Sequence, residues 1–318
     1  MTSGLHRASG NPRVGLTLAL STALLWGFLA IALKLLLGGM DAFTITWYRM
    51  TSAALLLGGY QLYRRRLPSL GGIGLSGWGL LLVALLGLVG NYVLFVLALD
   101  YVPPATAQLV IQLAPILFLL GSLAIFRESF SGRQWVGLVI LIGGLLLFFN
   151  ERLVELMRLT GREAAGVMLV VVAAIVWAAY ALAQKQLLVR LSSVNILLLI
   201  YIGAAILLAP FARPSSVLAL TRFQTALLVF GIVNTLAAYG CFAEALVHWE
   251  ASRVSAVIAL TPLITIAAVY VILAVRPETD IGERLGTLGL AGAALIVAGS
   301  VMTALGKAAT KAEPMVLE

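Results

Sequence analysis

Gln108 and Gln112 stand four residues apart just ahead of Pro115, in a stretch otherwise made almost wholly of apolar residues. On a helix that spacing puts both amides on one face, with the proline on or near it. Ser255 and Pro262 form the matching stripe in a later stretch. Each proline removes one backbone hydrogen bond, so the carbonyls of Ile111 and Ile258 lose their helical donors. Such carbonyls can bind an ammonium group, or the kinks can act as hinges. The plainer alternatives are a packing kink and amide-to-backbone bonds between helices. Aromatic and amide groups recur at similar depth: Trp26, Trp177 and Tyr180, then Asn91, Tyr92 and Phe95, then Asn234 and Tyr239. They lie too deep in their apolar runs to be interfacial anchors. Either they wall a pocket with apolar sides and a few polar groups, or they pack. Lys34, Arg49, Lys185 and Glu244 are charged residues inside apolar runs. They read as gates, with Lys185 and Glu244 near one end, where they can pair, and Lys34 and Arg49 toward the other. The alternative is that long side chains at helix ends snorkel to the surface. No carboxylate falls near the middle of a run, which argues against a buried Glu that alternately binds a proton and a multivalent cation.

The runs that carry these residues define the class. The chain has 318 residues, 62% hydrophobic and 11% charged, whereas a soluble domain is about 25% charged. That composition is one of an integral membrane protein. A net charge of +8 is modest for this length, and the basic residues sit in short loops. They read as topology signals, and no nucleic-acid partner is expected. Cys241 is the single cysteine, which excludes an intramolecular disulfide and a cysteine metal site. Met1–Pro12 is polar and the first apolar run is long enough to span, so no cleavable leader is expected. There is no HExxH, P-loop or GxSxG, and His6 and His248 are the only histidines. The chain reads as neither an enzyme nor an ATPase, with no cofactor and no metal.

Ten apolar stretches approach spanning length: 14–37, 43–62, 76–99, 103–126, 132–149, 165–189, 194–212, 222–246, 252–275 and 285–305. Helices satisfy their own backbones in lipid, and the runs are too long for barrel strands. The expected fold is all-α, with ten transmembrane helices. A cytoplasmic N-terminus puts Arg7, Arg13, Arg64, Arg65, Arg66, Arg127 and Arg133 inside, as the positive-inside rule requires. The second half is noisier: Lys185, Arg190, Arg253, Lys307 and Lys311 face in, and Arg152, Arg158, Arg162, Arg213, Arg222, Arg276 and Arg284 face out.

The halves are copies. Gly15, Leu18, Trp26, Ala30, Lys34, Leu36 and Leu37 align at a constant offset with Gly166, Leu169, Trp177, Ala181, Lys185, Leu187 and Leu188. Tyr92, Phe95, Ala98 and Leu99 align with Tyr239, Phe242, Ala245 and Leu246, and Leu113–Ile116 aligns with Leu260–Leu263. Glu128, Gly137 and Gly144 match Glu283, Gly292 and Gly299. The expected organisation is a tail at 1–13, a five-helix repeat at 14–149, a connection at 150–164, a second repeat at 165–305 and a tail at 306–318. Five is odd, so the second copy must enter the membrane from the opposite face. Such inverted repeats support alternating access around a midplane site.

These residues resemble the drug/metabolite transporter superfamily, and within it the ten-helix EamA-type carriers. The resemblance rests on Leu24-Leu25-Trp26-Gly27 and its partner Val176-Trp177-Ala178, on Arg49, on the two Leu-x-Pro segments and on the two Glu-x8-Gly-x6-Gly turns, and it covers about residues 14–305. Overall the chain looks most like the YddG-type aromatic amino acid exporters. The resemblance implies two cytoplasmic termini in a bacterial inner membrane, a central cavity lined by spans 1, 3, 4, 6, 8 and 9, and outward movement of small metabolites. Two features depart from strict repeat symmetry: the second turn is eight residues longer, around Arg276–Asp280, and Arg49 has no counterpart at Ile200. The expected function is secondary export of aromatic or neutral amino acids, or similar metabolites, by a monomer in the bilayer. The alternatives are a drug or nucleotide-sugar carrier and a non-transporting scaffold. The expected substrate site comprises Trp26, Asn91, Tyr92, Phe95, Gln108, Gln112, Trp177, Tyr180, Tyr239 and Ser255. Pro115 and Pro262 are the expected hinges.

Overall fold

A computed structural model describes residues 11–66, 68, 73–102, 104–128, 130–148, 161–275 and 287–305. Among these, twelve α-helical segments account for the architecture. They are α1 (Pro12–Leu37), α2 (Ala42–Tyr63), α3 (Gly74–Ala98), α4 (Pro104–Ile111), α5 (Leu113–Phe126), α6 (Gly132–Phe148), α7 (Gly161–Leu187), α8 (Ser193–Leu208), α9 (Arg222–His248), α10 (Ala251–Ile258), α11 (Thr261–Val275) and α12 (Thr287–Leu305). Short polar residues start several of them by accepting orphan N–H groups. Asn11 caps α1 with Pro12 in the first turn, Asp41 caps α2, Ser192 caps α8, and Thr221 with Gln224 forms a capping box on α9. By length and composition, α1, α3, α7, α8, α9 and the α10–α11 unit can cross a membrane, and α5, α6 and α12 are shorter apolar helices. α2 is long enough but is diluted by Thr44, Thr46, Arg49, Thr51 and Gln61. Large apolar side chains such as Leu55, Leu56, Val139, Ile206 and Val271 face outward, as a lipid-facing surface permits.

Several boundaries differ from the sequence reading. α1 begins at Pro12, inside the stretch assigned to the N-terminal tail, and α7 begins at Gly161, inside the connection. The fourth and ninth spans are each two helices. Gln112 alone separates α4 from α5, and Ala259 with Leu260 separates α10 from α11. Counting each pair once turns the twelve segments into ten units. The prolines explain the breaks. Pro115 is the third residue of α5 and Pro262 the second of α11, in first turns where a missing N–H deprives the helix of nothing. Gln112 and Ala259 keep right-handed dihedrals (φ −63°, ψ −12° and φ −60°, ψ −11°), so each break interrupts the hydrogen-bond ladder without a reversal of the chain. The expected kinks inside continuous helices are therefore interruptions between two helices. The tails at 1–10 and 306–318, the segment 150–160, and the enlarged turn with Arg276 and Glu283 lie outside the described residues.

The helices associate chiefly as antiparallel pairs. α1 runs against α9: the Thr22 hydroxyl donates to the Ala238 carbonyl and the Asn234 amide to the Leu25 carbonyl. α3 runs against α7 through the Asn91 amide and the Ala173 carbonyl. α2 runs against α8, with Trp47 Nε1 donating to Ala205 and Gln61 to Asn195. α6 runs against α12, where Gln134 donates to the Thr303 carbonyl. Exchanging the two halves maps α1·α9 onto α7·α3, and maps α2·α8 and α6·α12 onto themselves. The matched pairs extend to single contacts: Gly15 faces Trp249 as Gly166 faces Tyr101 and Val102.

The seven-residue glycine spacing has its reason in the α6–α12 seam. A Cβ on Gly144 would lie 2.7 Å from the Ile296 nitrogen, and one on Gly137 2.7 Å from Thr303 Oγ1. Gly292 and Gly299 face the α6 backbone at Phe148 and Leu141. Small residues let backbones meet where lipid offers no hydrophobic drive.

Candidate substrate site

A cavity with about 100 Å³ of free volume lies between the two halves. Its wall is drawn from α1, α2, α3, α4, α5, α7, α9, α10 and α11, so both repeats and both breaks contribute. Of the ten residues expected at the substrate site, eight line it: Trp26, Asn91, Tyr92, Phe95, Gln108, Gln112, Trp177 and Tyr239. Tyr180 and Ser255 do not. Tyr180 is fully buried behind the wall, with its ring 6.3 Å from that of Trp177, and Ser255 is buried in α10.

The repeat-related tryptophans meet at the centre. The Trp26 and Trp177 rings are edge-to-face at 5.7 Å, Trp26 lies 5.1 Å from Tyr239, and Tyr92 lies 5.3 Å from Tyr239. Phe242, repeat partner of Phe95, packs against both tryptophans from behind at 5.8 and 5.3 Å. Good ring contacts contribute about 0.5–1.5 kcal/mol each beyond area burial, so the rings brace one another. The indole Nε1 of Trp26 is buried without a protein partner. It is a donor that a bound molecule can satisfy.

Polar groups enter at the breaks. Gln108 donates to Thr265 Oγ1 at 3.3 Å, and Thr265 in turn donates to the Gly27 carbonyl at 2.9 Å. α4, α11 and α1 are thus tied through one hydroxyl. Gln112 donates to the Gln108 carbonyl, and its own Oε1 is buried without a protein partner. Ile111 lines the cavity, and Pro115, which has no N–H, cannot donate to its carbonyl. Its counterpart differs from expectation: the Thr261 hydroxyl donates to the Ile258 carbonyl at 2.6 Å. Thr261 also lines the cavity and was missed in the sequence. The Ala-Pro of one repeat against the Thr-Pro of the other was the available signal.

Arg49 was expected as a gate toward one end, yet its side chain lines the cavity. It is 2% exposed, its Nε donates to Thr235 Oγ1 at 3.0 Å and the Gly231 carbonyl at 3.3 Å, and its guanidinium carbon sits 4.3 Å from the centre of the Tyr92 ring. Thr235, the residue that aims it, was not singled out in the sequence.

The other charged residues are away from the cavity wall. Lys34 Nζ donates to the Leu99 carbonyl, which joins the ends of α1 and α3. Lys185, its repeat partner, does not pair with Glu244. It is ion-paired with Glu128, which follows α5. Glu244 instead accepts from the Ser193 hydroxyl and lies 3.6 Å from His248. Depth along two helices puts Lys185 and Glu244 at the same end, but their faces diverge, Lys185 toward α5 and α10 and Glu244 toward α8. Glu128 is held from several sides: the N–H groups of Ala251 and Ser252, at the start of α10, donate to it at 3.1 and 3.2 Å, and Ser122 donates at 3.1 Å. Arg127, at φ 50° and ψ 40°, ends α5 in the left-handed region, a conformation that costs a non-glycine residue about 1–3 kcal/mol. Burial alone would raise the Glu128 carboxyl, but the Lys185 ammonium and the two N–H groups outweigh it and hold the pKa below its ordinary value. Among the described residues no group of three or more His, Cys, Asp and Glu could hold a metal ion.

Comparison with known proteins places this geometry. Residues 13–150 and 164–305 each match the EamA-like transporter family, which makes the internal duplication a duplication of one family unit. An Escherichia coli (strain K12) protein named as an uncharacterized inner membrane transporter, YhbE, is 40% identical over 92% of this chain and 92% of its own. An uncharacterized transporter of Haemophilus influenzae is 38% identical over 93% of this chain and 96% of its own. A probable amino-acid metabolite efflux pump of Salmonella typhimurium is 26% identical over 91% and 94%. A solved crystal structure at 18% identity superposes with a TM-score of 0.68 over 92% of this chain and 98% of that one, which shows a shared fold. Two full copies of the family unit, with a cavity walled by both, settle the assignment: the chain belongs to the EamA-like transporter family and is a membrane transporter.

Proposed function

We propose that this protein is a secondary carrier that exports aromatic or neutral amino acids, or similar small amphipathic metabolites, across the inner membrane by alternating access. The observation that carries the reading is the central cavity, where the paired Trp26 and Trp177 and the amides of both Gln108 and Gln112 meet. Aromatic walls accept many side chains and discriminate poorly among them. The amides, the Thr261 hydroxyl and the Ile111 carbonyl offer donors and acceptors to a polar head group. The amino-acid metabolite efflux pump at 26% identity supports the substrate class.

The antiparallel pairing of repeat-equivalent helices, α2 with α8 and α6 with α12, supports an inverted-topology duplication, and the loop arginines of the first half favour cytoplasmic termini. An inverted pair can rock about a fixed central site and open it to either side in turn. Pro115 and Pro262 are the proposed hinges, since each follows a break and lacks the N–H that would continue the ladder across it. The Glu128–Lys185 pair, clamped on the start of α10, is the proposed cytoplasmic gate, with Lys34 on the Leu99 carbonyl toward the other end. Proteoliposomes loaded with labelled amino acids test the reading. Saturable movement that unlabelled substrate accelerates from the other side is the expected result; flux equal to that of protein-free liposomes would refute it.

A further inference from the structure

Among the described residues the cavity wall carries one formal charge and no carboxylate to balance it: Arg49 is the single Lys, Arg, Asp, Glu or His there. Among the described residues no acidic side chain pairs with this guanidinium. A buried cation is costly unless paired, and here only part of the fork is used. Nε is held by Thr235 and Gly231, the face lies on Tyr92, and Nη2 is buried without a protein partner. The arrangement fixes the guanidinium while leaving donor capacity at the site. A guanidinium presents a planar set of donors that matches a carboxylate, and the pair is stronger than a neutral hydrogen bond.

We propose that Arg49 is the carboxylate anchor of the transport site, so that the substrates are molecules with a free carboxylate on an apolar or aromatic body. This rests on the reading of the cavity as the transport site. The carboxylate completes the charge balance on Arg49, and the body lies on the Trp26–Trp177 wall. Cationic amphiphiles and amine drugs are disfavoured, because they bring a second positive charge to a site without an acid. The anchor also breaks the repeat symmetry. The position equivalent to Arg49 is the fully buried Ile200, so substrates bind in one orientation in a pseudo-symmetric cavity.

A matched ligand series on purified wild-type protein tests this without altering the fold. Phenylalanine and 3-phenylpropionate keep the carboxylate; phenylalaninamide and phenethylamine lack it. Binding read by thermal stabilisation and by competition should favour the two carboxylates by at least about tenfold, the expected loss of a charge-assisted bond. Arg49→Lys keeps the charge but not the planar fork, and it should lower that preference while unliganded melting and size-exclusion profiles stay near wild type. Equal binding of phenylalanine and its amide would overturn the anchor and leave the carrier reading intact. Binding by none of the four would overturn both. Unchanged carboxylate preference in Arg49→Lys, or in Arg49→Gln should the lysine variant fail to fold, would also overturn the anchor.

Discussion

Glu128→Gln tests the proposed gate and allows a magnitude to be worked out. Glu128 is 9% exposed and Lys185 2%, so this is a buried pair and not a surface one. Removing one member of such a pair costs about 3–5 kcal/mol, because the other charge is left uncompensated. Glutamine keeps an acceptor for the Ala251 and Ser252 N–H groups. The lower bound of about 3 kcal/mol is therefore the reasonable figure, about a hundredfold in the closed-to-open ratio at that end. If the pair exists only while the end is closed, backbone hydrogen exchange at the start of α10 should accelerate by about that factor. The Lys185→Gln, Glu128→Gln double variant removes both charges and should recover most of the loss, as replacing a whole buried pair often does. Turnover in liposomes should change in Glu128→Gln, because the balance of access states is shifted. Unchanged α10 protection and unchanged turnover in Glu128→Gln would show that the pair holds the fold together and does not gate.

Further outcomes are expected. Pro115→Ala and Pro262→Ala should each join two half-helices by restoring a ladder bond, lowering transport rate more than substrate affinity; unchanged turnover in both would make the prolines packing features. Gln108→Ala should weaken all amino acids about equally, whereas Trp177→Ala should reorder them by side chain. Ligand competition distinguishes these, and no effect of either in folded protein would place the site elsewhere. Because the Glu128 pKa is depressed, the stabilisation from its charge is fully present above the ordinary carboxylate value of 4.5 and is lost only as pH falls through the lower folded value. The protection of α10, corrected for intrinsic exchange, should thus be equal at about pH 7.5 and about pH 5. Glu250 and Arg253, at the start of α10 itself, are paired at 2.8 Å; loss of protection between those two values that persists in a variant lacking the His248 imidazole, three residues before α10, would contradict the assignment.

The sequence made the architecture readable because lipid enforces it. Long apolar runs can only be helices there, and the repeated Trp26/Trp177, Lys34/Lys185 and Pro115/Pro262 positions announce the duplication. Eight of the ten site positions fell on one cavity since depth along a helix and repeat symmetry both converge on the membrane centre. What escaped was azimuth. Lys185 and Glu244 share a level but face different helices, so the partner turned out to be Glu128, in a turn that the sequence marks only as a repeat landmark. Arg49 was misplaced for the same reason: its depth suggested an end, while Thr235 and the Tyr92 ring draw its guanidinium to the cavity. The breaks at Gln112 and Ala259–Leu260 depend on which turn of the new helix receives the proline, a choice of one or two residues that periodicity does not resolve.

Two-sided accessibility of the cavity tests alternating access most directly. Ala114 lines the cavity and is buried, and Cys241 is the only native cysteine. In a Cys241→Ala background, Ala114→Cys is placed in sealed vesicles of defined orientation and challenged with a membrane-impermeant thiol reagent from one side, then from the other. A carrier that alternates exposes the thiol to both sides in turn, so labelling proceeds from either face and slows when substrate occupies the cavity. Labelling from one face alone, at a rate indifferent to substrate, would contradict the account.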